Sequence, residues 1–587
     1  MRLKDRLIKL KYTLDLKKLQ VVIPKNKKKV AAKLKLKKDR QSVAAASGLI
    51  GKQMETHLKE YIDWHPFKNA FANNIDFILI DDEALDIDFM KVNQAIEIFK
   101  SRKPIIFFLK KLPSQTSYEH TLQYAHKIYL CKNIEIQGTP FENVGDKIEV
   151  VDYYVDMKKN SPKNRAASAG RIGIVIDDYS IEQESFEELI AALKKWSFRE
   201  DLQIICFKGK ALSYLSDKPD LVSRISGICT DVNEANQNFD AVLLINLTKD
   251  KINDFELSKR LSRGQLAINA YSNNKAYYFD NVLTGVSENL INYIEGLQRH
   301  FSLEEISVNC IRKVARSQSQ KVHLKRIAQA ESQRNIKSHG ISIVACTSKP
   351  TFLNNIIENY HRQIYEDKEL IIVLHSNKLD IEALRAKITD PNIKVYQRNP
   401  NAISFGYCLN YGVALSNKEY VAKFDDDDYY GEEYLSDLMD AFSYSDAKVV
   451  GKLSFHSYLH GSNKFVTRKP GNEYKYTSFL PGATFLIKRE VFEKNMFRDI
   501  PRDIDGRFCF DCHANKIKLY SVDSFNLLVN RLSDKGIHTW KASDQLIIRQ
   551  SLPANDSIDE ELLHNSAYLL SNNRSSTFTD AIKSICV

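Results

Sequence analysis

Short, uninterrupted apolar runs recur along this 587-residue chain, and polar or helix-forming segments separate them. Between residues 51 and 310 the runs are 75–80, 104–109, 127–130, 172–176, 202–207 and 241–245. A strand that is apolar at nearly every position has to be buried on both faces, as it is in a parallel sheet with helices packed on each side. The alternation of such strands with helical segments therefore predicts an α/β fold.

The chain is too long for a single hydrophobic core, so we expect several domains. The polar stretch 157–169 divides residues 51–310 into two Rossmann-like lobes. Residues 311–338 are rich in Lys, Arg, Gln and Ser and lack turn residues, which predicts a helical linker. The strand and helix pattern restarts at Gly340, so we expect another α/β domain over 339–545. A C-terminal tail, 546–587, contains a possible closing helix at 559–570.

The positive charge of the protein is concentrated at its N-terminus. Residues 1–40 hold sixteen Lys or Arg and three Asp, so the rest of the chain carries −2 of the total net charge of +11. Leu3, Leu7, Leu10 and Leu14 fall on one helical face. Residues 1–50 are therefore predicted to form a basic amphipathic arm. It suits an anionic membrane surface, where each basic residue contributes about 1 kcal/mol; a solvated tail and a helix packed on its own protein are the alternatives.

Other features bear on where the protein works. No apolar stretch reaches the length of a membrane span, and the N-terminus lacks the apolar core of a secretory signal. Nine cysteines spread thinly over the chain do not resemble a disulfide framework. The basic arm lacks the interleaved aromatic residues that would stack on bases, so we expect no nucleic-acid partner. We expect a cytoplasmic protein, peripheral at the inner face of the membrane.

The clearest signal of chemistry is the apolar segment 419–424, which runs directly into Asp425, Asp426, Asp427 and Asp428. Folds of the α/β class place ligands at the carboxyl ends of strands. Mg²⁺ or Mn²⁺ prefers one or two carboxylates together with phosphate oxygens. Four consecutive carboxylates also repel one another unless a cation neutralises them. The run predicts a divalent-cation site, and a solvent-exposed acidic loop is the alternative.

Four further segments accompany the aspartate run in a fixed order. Segments 341–353 and 369–373 read as strands, the first with a loop after it, segment 404–412 contains Gly-x-x-x-Asn, and segment 481–492 follows the run. In this order and spacing, residues 341 to about 540 resemble a family 2 glycosyltransferase of the GT-A fold. The first two segments are similar to the family's first two strands and nucleotide loop, and 404–412 matches the segment that precedes the metal motif. The four aspartates stand where the family has Asp-x-Asp-Asp, and 481–492 resembles the strand and helix beside the acceptor site.

The resemblance implies a role for individual residues. Asp427 and Asp425, with His538, would hold Mn²⁺ or Mg²⁺ against the donor diphosphate. Asp505 would be the base that deprotonates the acceptor hydroxyl. A helix N-cap is the alternative role for Asp505. The resemblance assigns nucleotide-sugar binding to Thr347, Ser348, Pro350, Arg398, Gly406, Asn410, Asp425, Asp426 and Arg531.

The chain departs from the family pattern in two places. The family has a Glu-Asp pair at the base, and here Ile504 stands in the place of the glutamate, which leaves Asp503 as a second candidate base. After the second strand the family has Asp-Asp or Asp-Asn, and here residues 374–377 read Leu-His-Ser-Asn. A UDP-sugar is therefore the expected donor on family grounds alone.

Residues 51–310 are more faintly similar to two-lobed GT-B glycosyltransferases of the spore-coat-associated type. The similarity lies in segments 240–245 and 257–265. The glutamate and the glycine-rich phosphate-binding loops of that family are absent from these residues or only poorly matched. We therefore favour a degenerate module that docks an acceptor or a partner over a second active transferase.

Together these features predict an inverting, metal-dependent glycosyltransferase. Its donor would be a nucleotide-sugar, and its acceptor a hydroxyl of a cell-surface or spore-surface glycan or of a polyol-phosphate polymer such as teichoic acid. A non-catalytic scaffold that binds glycan or partner enzymes is the alternative, motivated by the blurred N-terminal module and by Ile504.

Overall fold

A computed structural model describes residues 45–163, 171–177, 201–207, 219–229, 242–246, 254–269 and 303–553, with short gaps inside these ranges. The predicted basic arm 1–40 and the predicted closing helix 559–570 lie outside the described residues. No described helix has the length and apolar character needed to cross a membrane. The described residues divide into two compact units, one within 45–154 and 317–339, the other within 155–316 and 340–553.

The first unit is built on a six-stranded parallel sheet in the order β2-β1-β3-β4-β5-β6. Its strands are β1 (Ala45–Leu49), β2 (Asp63–Pro66), β3 (Phe77–Asp81), β4 (Ile105–Leu109), β5 (Lys127–Cys131) and β6 (Ile148–Val151). Its helices are α1 (Asp82–Ile87), α2 (Phe89–Phe99), α3 (Glu119–Leu122) and α7 (Gln320–Glu331), with a 3₁₀ helix at Pro140–Lys147. Residues 45–49, which the arm prediction included, form the strand β1.

The central strands β3 and β4 are buried at every position, because both faces of the sheet are covered there. Successive side chains of a strand point to opposite faces. In β3, Ile78 and Ile80 pack with α1 and α2 on one face. On the other face, Phe77 and Leu79 pack against a cluster that includes α7. The predicted strands and their two-sided burial are confirmed here.

A second parallel sheet, in the order β11-β10-β7-β8-β9, lies in the other unit. Its strands are β7 (Arg171–Asp177), β8 (Asp201–Phe207), β9 (Ile225–Cys229), β10 (Leu243–Asn246) and β11 (Leu266–Asn269). Its helices are α4 (Pro219–Val222), α5 (Asp254–Ser262) and α6 (Leu303–Lys313). The polar stretch 157–169 thus falls between two separate parallel sheets.

Within the predicted linker 311–338, the described residues are helical up to Glu331, and the segment is divided between the two units. The helix α6 continues into a π-helix at Val314–Gln318, and α7 begins after the N-cap Ser319. Leu324, Ile327 and Ala328 of α7 are buried in the core of the first unit. This segment therefore supplies core residues rather than serving only as a connection.

The C-terminal domain contains an eight-stranded mixed sheet in the order β14-β13-β12-β15-β21-β17-β22-β20. Its strands are β12 (Ile341–Thr347), β13 (Lys368–Leu374), β14 (Ile393–Gln397), β15 (Tyr420–Phe424), β17 (Val449–Gly451), β20 (Lys475–Thr477), β21 (Leu486–Lys488) and β22 (Leu519–Ser521). The first four are mutually parallel, and β21 joins β15 in the antiparallel sense.

A smaller five-stranded sheet, β16-β23-β18-β19-β24, stands beside the end of β15. Its strands are β16 (Tyr429–Tyr430), β18 (Phe455–Leu459), β19 (Lys464–Arg468), β23 (Leu527–Arg531) and β24 (Ser551–Pro553). The helices of the domain are α8 (Leu353–Arg362), α9 (Ile381–Lys387), α10 (Phe405–Leu415), α11 (Tyr434–Tyr444), α12 (Ile504–Ala514) and α13 (Asp544–Arg549), with 3₁₀ helices at Pro350–Phe352, Gly482–Thr484 and Arg489–Glu493.

The predicted fold class is confirmed. Two parallel α/β sheets precede a Rossmann-like domain, in which the parallel strand β15 ends at the aspartate run. The strand β24 pairs with β19, so part of the predicted tail 546–587 belongs to this smaller sheet. The domain boundaries remain a prediction.

Candidate active site

The aspartate run lies where the chain passes from the large sheet to the small one. The strand β15 is fully buried between β12 and β21, and it ends at Phe424. Two residues of β16 follow the run, and the ring of Tyr430 stacks on that of Phe424 with centroids 3.8 Å apart. The four aspartates are half-buried or, for Asp428, buried. The alternative of a solvent-exposed acidic loop is therefore wrong.

Three asparagine side chains hold the backbone of the run. Asn355 on α8 donates hydrogen bonds to two of its carbonyl oxygens, at 2.8 and 2.9 Å. Asn359, one helical turn later, donates at 2.8 Å to the carbonyl of Asp428, which Asn355 also contacts, and the side-chain amide of Asn530 donates to the carbonyl of Asp427 at 3.0 Å. These three residues were not predicted from the sequence. The spacing of Asn355 and Asn359 on one helical face was the available signal.

Two of the carboxylates accept hydrogen bonds from distant parts of the chain. Thr347 at the end of β12 donates to Oδ2 of Asp426 at 2.5 Å. The backbone N–H of Asn530 donates to Oδ1 of Asp428 at 3.1 Å. Thr347, predicted to bind the donor, thus reaches the run itself and orients one of its carboxylates.

A buried lysine lies beside the first aspartate. The side chain of Lys423, in β15, is 5% exposed, and its ammonium donates to Oδ1 of Asp425. The negative charges of Asp425 and Asp505 raise the pKa of Lys423 against the opposing effect of burial. Lys423 was not predicted from the sequence either. The available signal was a lysine inside an apolar strand, two residues ahead of the run. A protein cation therefore neutralises part of the run.

The remaining carboxylates carry excess negative charge. Burial raises the pKa of Asp427 to about 7, and Asp426 and Asp425 add to the rise. Burial is also the main cause that raises the pKa values of Asp426 and Asp428. A divalent cation would stabilise the ionised forms of these groups, because an opposite charge within a few ångströms favours ionisation.

The predicted base Asp505 lies in the first turn of α12. Its carboxyl group rests against Gly482, where a Cβ atom would stand 1.9 Å from the carboxylate carbon. Burial raises its pKa, and the positive charge of Lys423 opposes the rise. Its Oδ1 is buried and has no hydrogen-bond partner among the residues the structure describes. No cap hydrogen bond ties the side chain of Asp503, the N-cap residue, to this helix.

The second candidate base, Asp503, has a different environment. Its side chain is 59% exposed and pairs with Arg507 at 3.0 Å. Its backbone adopts a left-handed conformation, with φ of 59°. Of the two aspartates, Asp505 is the one that shares electrostatic contact with Lys423 and Asp425.

The segment that carries Gly482 is also tied to the aspartate run. The hydroxyl of Tyr430 donates to the carbonyl of Ala483 at 2.8 Å and accepts from the N–H of Asp425 at 2.8 Å. One buried tyrosine therefore joins the loop that bears the aspartates to the loop against which Asp505 rests.

The other residues predicted to bind the donor lie in varied surroundings. Ser348 is exposed in the loop after β12, and Pro350 is exposed at the start of the 3₁₀ helix that follows. The guanidinium carbon of Arg398 stands 3.5 Å from the ring centroid of Tyr411.

Asn410 and Gly406 lie on α10 and pack against a neighbouring segment. The amide of Asn410 donates to the Phe497 carbonyl at 2.7 Å and accepts from the Phe497 N–H at 3.0 Å. A Cβ atom on Gly406 would stand 2.1 Å from the carbonyl oxygen of Arg498. These contacts account for both residues without a ligand, and their donor-binding role remains a prediction.

Arg531 ends the strand β23. It donates to the carbonyl of Ala542 at 3.2 Å. Burial lowers the pKa of its guanidinium, while Asp544, Asp427 and Asp428 oppose that effect, so Arg531 lies within electrostatic reach of the run. The predicted metal ligand His538 lies outside the described residues.

The described side chains fit a divalent cation that also uses oxygen ligands from a substrate. No three His, Cys, Asp or Glu side chains converge as a protein-only metal site within the described part of the chain. Mg²⁺ and Mn²⁺ do not need one, because one or two carboxylates with phosphate oxygens suffice. The mutually repelling carboxyl groups of Asp426, Asp427 and Asp428 are hard oxygen donors of the required kind.

Residues 341–496 match the family model of glycosyl transferase family 2. No curated protein is significantly similar to this chain. The matched residues include the aspartate run and end before Asp505 and Arg531, whose roles depend on their geometry.

Several solved structures are weakly similar to this chain. The crystal structure of S. aureus TarS 1–349 has a TM-score of 0.27 and 15% identity, over 32% of this chain and 60% of that chain. The same protein in complex with UDP-GlcNAc has a TM-score of 0.28 and 14% identity, over 33% and 59%. GalNAc-T7 with UDP, GalNAc and Mn²⁺ has a TM-score of 0.28 and 12% identity, over 34% and 45%.

This chain thus spans about 60% or less of the length of each of these structures. Because these TM-scores and identities are low, the family match is the finding that identifies the domain. The C-terminal half of this chain contains a family 2 glycosyltransferase domain.

Proposed function

We propose that this protein transfers a sugar from a nucleotide-sugar donor, UDP-linked in our hypothesis, to an acceptor hydroxyl with inversion at the anomeric carbon. The acceptor in this proposal is a cell-surface or spore-surface glycan or a polyol-phosphate polymer of the teichoic-acid type. The two N-terminal sheets would dock that acceptor or a partner protein.

The main support for this proposal is one observation: a single buried lysine interacts both with the aspartate run and with the candidate base. The aspartate run lies at the end of β15, and Lys423 contacts Asp425. Lys423 also interacts electrostatically with Asp505, which belongs to a helix some eighty residues later in the chain. These interactions support a proposed cation site and a candidate base that act on one substrate, as a transfer reaction requires.

Asp505 suits the task of a general base. Because its Oδ1 is buried without a partner among the described residues, it is available to accept a proton. A pKa raised by burial brings the carboxylate closer to the basicity at which proton transfer is efficient. In the proposed step, Asp505 takes the proton of the acceptor hydroxyl while that oxygen bonds to the anomeric carbon and the bond to the diphosphate oxygen breaks.

The residues of the run would hold Mn²⁺ or Mg²⁺ chiefly through Asp427. When bound, such a cation neutralises the charge that grows on the departing nucleoside diphosphate. Thr347 would keep the carboxylate of Asp426 in place beside the cation through its 2.5 Å hydrogen bond to Oδ2.

The test is turnover of nucleotide-sugars by the full chain with Mn²⁺. A screen for Mn²⁺-dependent thermal stabilisation identifies the donor, and release of nucleoside diphosphate then reports transfer or hydrolysis. Asp505→Asn should lower kcat by about 10²–10⁴, the typical contribution of a general base. Asp503→Asn is the matched control on the exposed side of the same helix and should retain most of the rate.

Normal turnover by both Asp505→Asn and Asp427→Ala would contradict this assignment. A chain that binds no nucleotide-sugar and turns none over would instead favour the non-catalytic scaffold.

A further inference from the structure

The first unit contains a cavity of about 380 Å³ between the helix α7 and the strands β5 and β6. A cavity of this size lies within the range of small-molecule binding sites, about 300–1,000 Å³. One wall is a single face of α7, formed by His323, Arg326, Ile327 and Ala330. The other wall comes from Tyr129 of β5 and from β6. Both walls belong to the same compact unit.

The ionic groups around this cavity balance one another. The ammonium of Lys127 pairs with the carboxylate of Glu149, which lines the cavity, and stands 3.9 Å from that of Glu331. Glu331 also accepts a hydrogen bond at 2.5 Å from the hydroxyl of Tyr129. The guanidinium of Arg326 adds a second positive charge at the wall. Two cationic and two anionic side chains give no net charge, so the cavity does not attract an anion as a cationic cleft would.

The lining combines polar and apolar surface. Val150 of β6 is 63% exposed, and Ile327 and Ala330 line the facing wall. The carboxylate of Glu149 and the guanidinium of Arg326 lie beside this apolar surface. A purely apolar ligand would remove water from these charged groups without replacing its hydrogen bonds, which is costly. The lining therefore fits a neutral molecule that carries many hydroxyl groups and also has an apolar face.

We propose that this cavity binds a neutral sugar unit of the acceptor glycan. The sugar hydroxyls would donate to the carboxylate of Glu149 and accept from the guanidinium of Arg326, while the C–H face of the ring packs on Ala330. This inference rests on the proposed function, in which the N-terminal sheets dock the acceptor. It narrows the acceptor to a glycan with neutral sugar units, because a chain of polyol and phosphate alone lacks the charge and the ring that this cavity fits.

The probes are neutral di- and trisaccharides of hexoses and N-acetylhexosamines, with oligomers of glycerol phosphate as the anionic arm. Their binding to the full chain is measured by titration calorimetry without donor or Mn²⁺. We expect at least one neutral saccharide to bind saturably, with a Kd that changes less than about twofold between about 0.1 M and about 1 M NaCl, because no net charge takes part that salt could screen. Binding of the phosphate oligomers alone, or of none of the probes, would overturn the inference.

Three variants test whether this cavity is the binding site. Ala330→Trp places an indole in the cavity from an exposed position of α7, so it should abolish saccharide binding. Arg326→Met and Glu149→Gln each remove a charged hydrogen-bonding group from the cavity, and each should raise the Kd by about tenfold. These two side chains are exposed, so the variants should fold even if Ala330→Trp does not.

Lys325→Met is the matched control, because Lys325 is an exposed basic residue next to Arg326 on α7 that does not belong to the cavity lining. It should leave the saccharide Kd unchanged. Equal effects of Lys325→Met and Arg326→Met, or undiminished saccharide binding by a folded Ala330→Trp, would contradict the assignment of the site.

Sugar transfer is measured separately, with donor and Mn²⁺. If the saccharides bind as expected and no transfer is found, the proposed function fails while the sugar site stands. If the wild type transfers sugar and the three cavity variants bind saccharides as the wild type does, the sugar site fails while the proposed function stands.

Discussion

Four chemically identical residues in succession, Asp425 to Asp428, have four different environments in the fold. The first pairs with the ammonium of Lys423, and the second accepts from a threonine hydroxyl. The third has a pKa raised to about 7, and the fourth is buried against a backbone N–H. Residue type alone therefore does not tell which carboxylate meets a metal ion. The partner that each one finds in the fold decides its role.

His456 on β18 should make the stability of the C-terminal domain depend on pH. Burial, together with the positive charge of Lys452, lowers the pKa of its imidazole to about 4. The unfolded chain takes up this proton near the ordinary value of about 6.5. The stabilising contribution is therefore complete above pH 6.5 and is lost as the pH falls towards 4. In that window the single group changes the unfolding free energy by about 1.4 kcal/mol per pH unit.

The variant His456→Asn should lose less stability than the wild type between pH 7 and pH 4.5. Chemical denaturation of the full chain at a series of pH values measures the difference. The exposed His460, in the same hairpin, provides the control, and His460→Asn should retain the wild-type slope. An identical slope for His456→Asn and the wild type would contradict the prediction.

The helix α6 and the π-helix that follows it present two arginines to α11. Nε and Nη2 of Arg312 each donate at 2.7 Å to the carboxylate of Asp437, and both side chains are buried. Arg316, one turn later, reaches Glu433 at 2.8 Å and Asp440 at 2.7 Å. Bidentate pairs of this kind combine charge with a fixed geometry. They join the segment after the second parallel sheet to the glycosyltransferase domain.

Removing one member of this network should be costly. Arg312→Met leaves Asp437 buried with an incomplete set of partners, and breaking a buried pair in this way costs about 3–5 kcal/mol. Calorimetry of the full chain should show a clear loss of stability. The double variant Arg312→Met/Asp437→Leu should recover much of it, because no lone charge remains.

The matched control for this network is Lys448→Met, whose ion pair with Glu490 has side chains 48% and 52% exposed. Exposed pairs contribute about 1 kcal/mol or less, so this variant should unfold almost as the wild type does. Equal effects of Arg312→Met and Lys448→Met would show that the buried network is not a stabilising element.

At the scale of the whole molecule, the basic arm and the folded units have separate tasks in our hypothesis. Deleting residues 1–40 removes a local charge of +13 and leaves a chain with a net charge of −2. The truncated protein should no longer sediment with vesicles rich in anionic lipid, because each basic residue contributes about 1 kcal/mol to that attraction. Its turnover in solution should be unchanged. Unaltered vesicle binding by the truncated chain would contradict the membrane role of the arm.

Much of the fold was predictable because its signals are local. A strand buried on both faces needs a continuous apolar run, and neighbouring residues along the chain supply it. The strands β3, β4, β5, β7, β8, β10, β12, β13 and β15 were predicted for that reason. The helices within 311–331 were predicted from a polar composition without turn residues. The membership of α7 in the first unit was not predictable, because its apolar positions give no information about which sheet they meet.

The sequence by itself determined the α/β class, the positions of nine strands with continuous apolar runs and the placement of an acidic run at a strand end, since each depends on residues close together in the chain. Only the tertiary structure decided what each site residue contacts. Thr347 and Asp426 are 79 residues apart, and Asn410 and Phe497 are 87 residues apart. Such partners meet through the order of strands in the sheet, which local periodicity does not specify. The pairing of Lys423 with Asp425, though only two residues apart, also depended on the sheet, because burial is what requires the lysine to find a carboxylate.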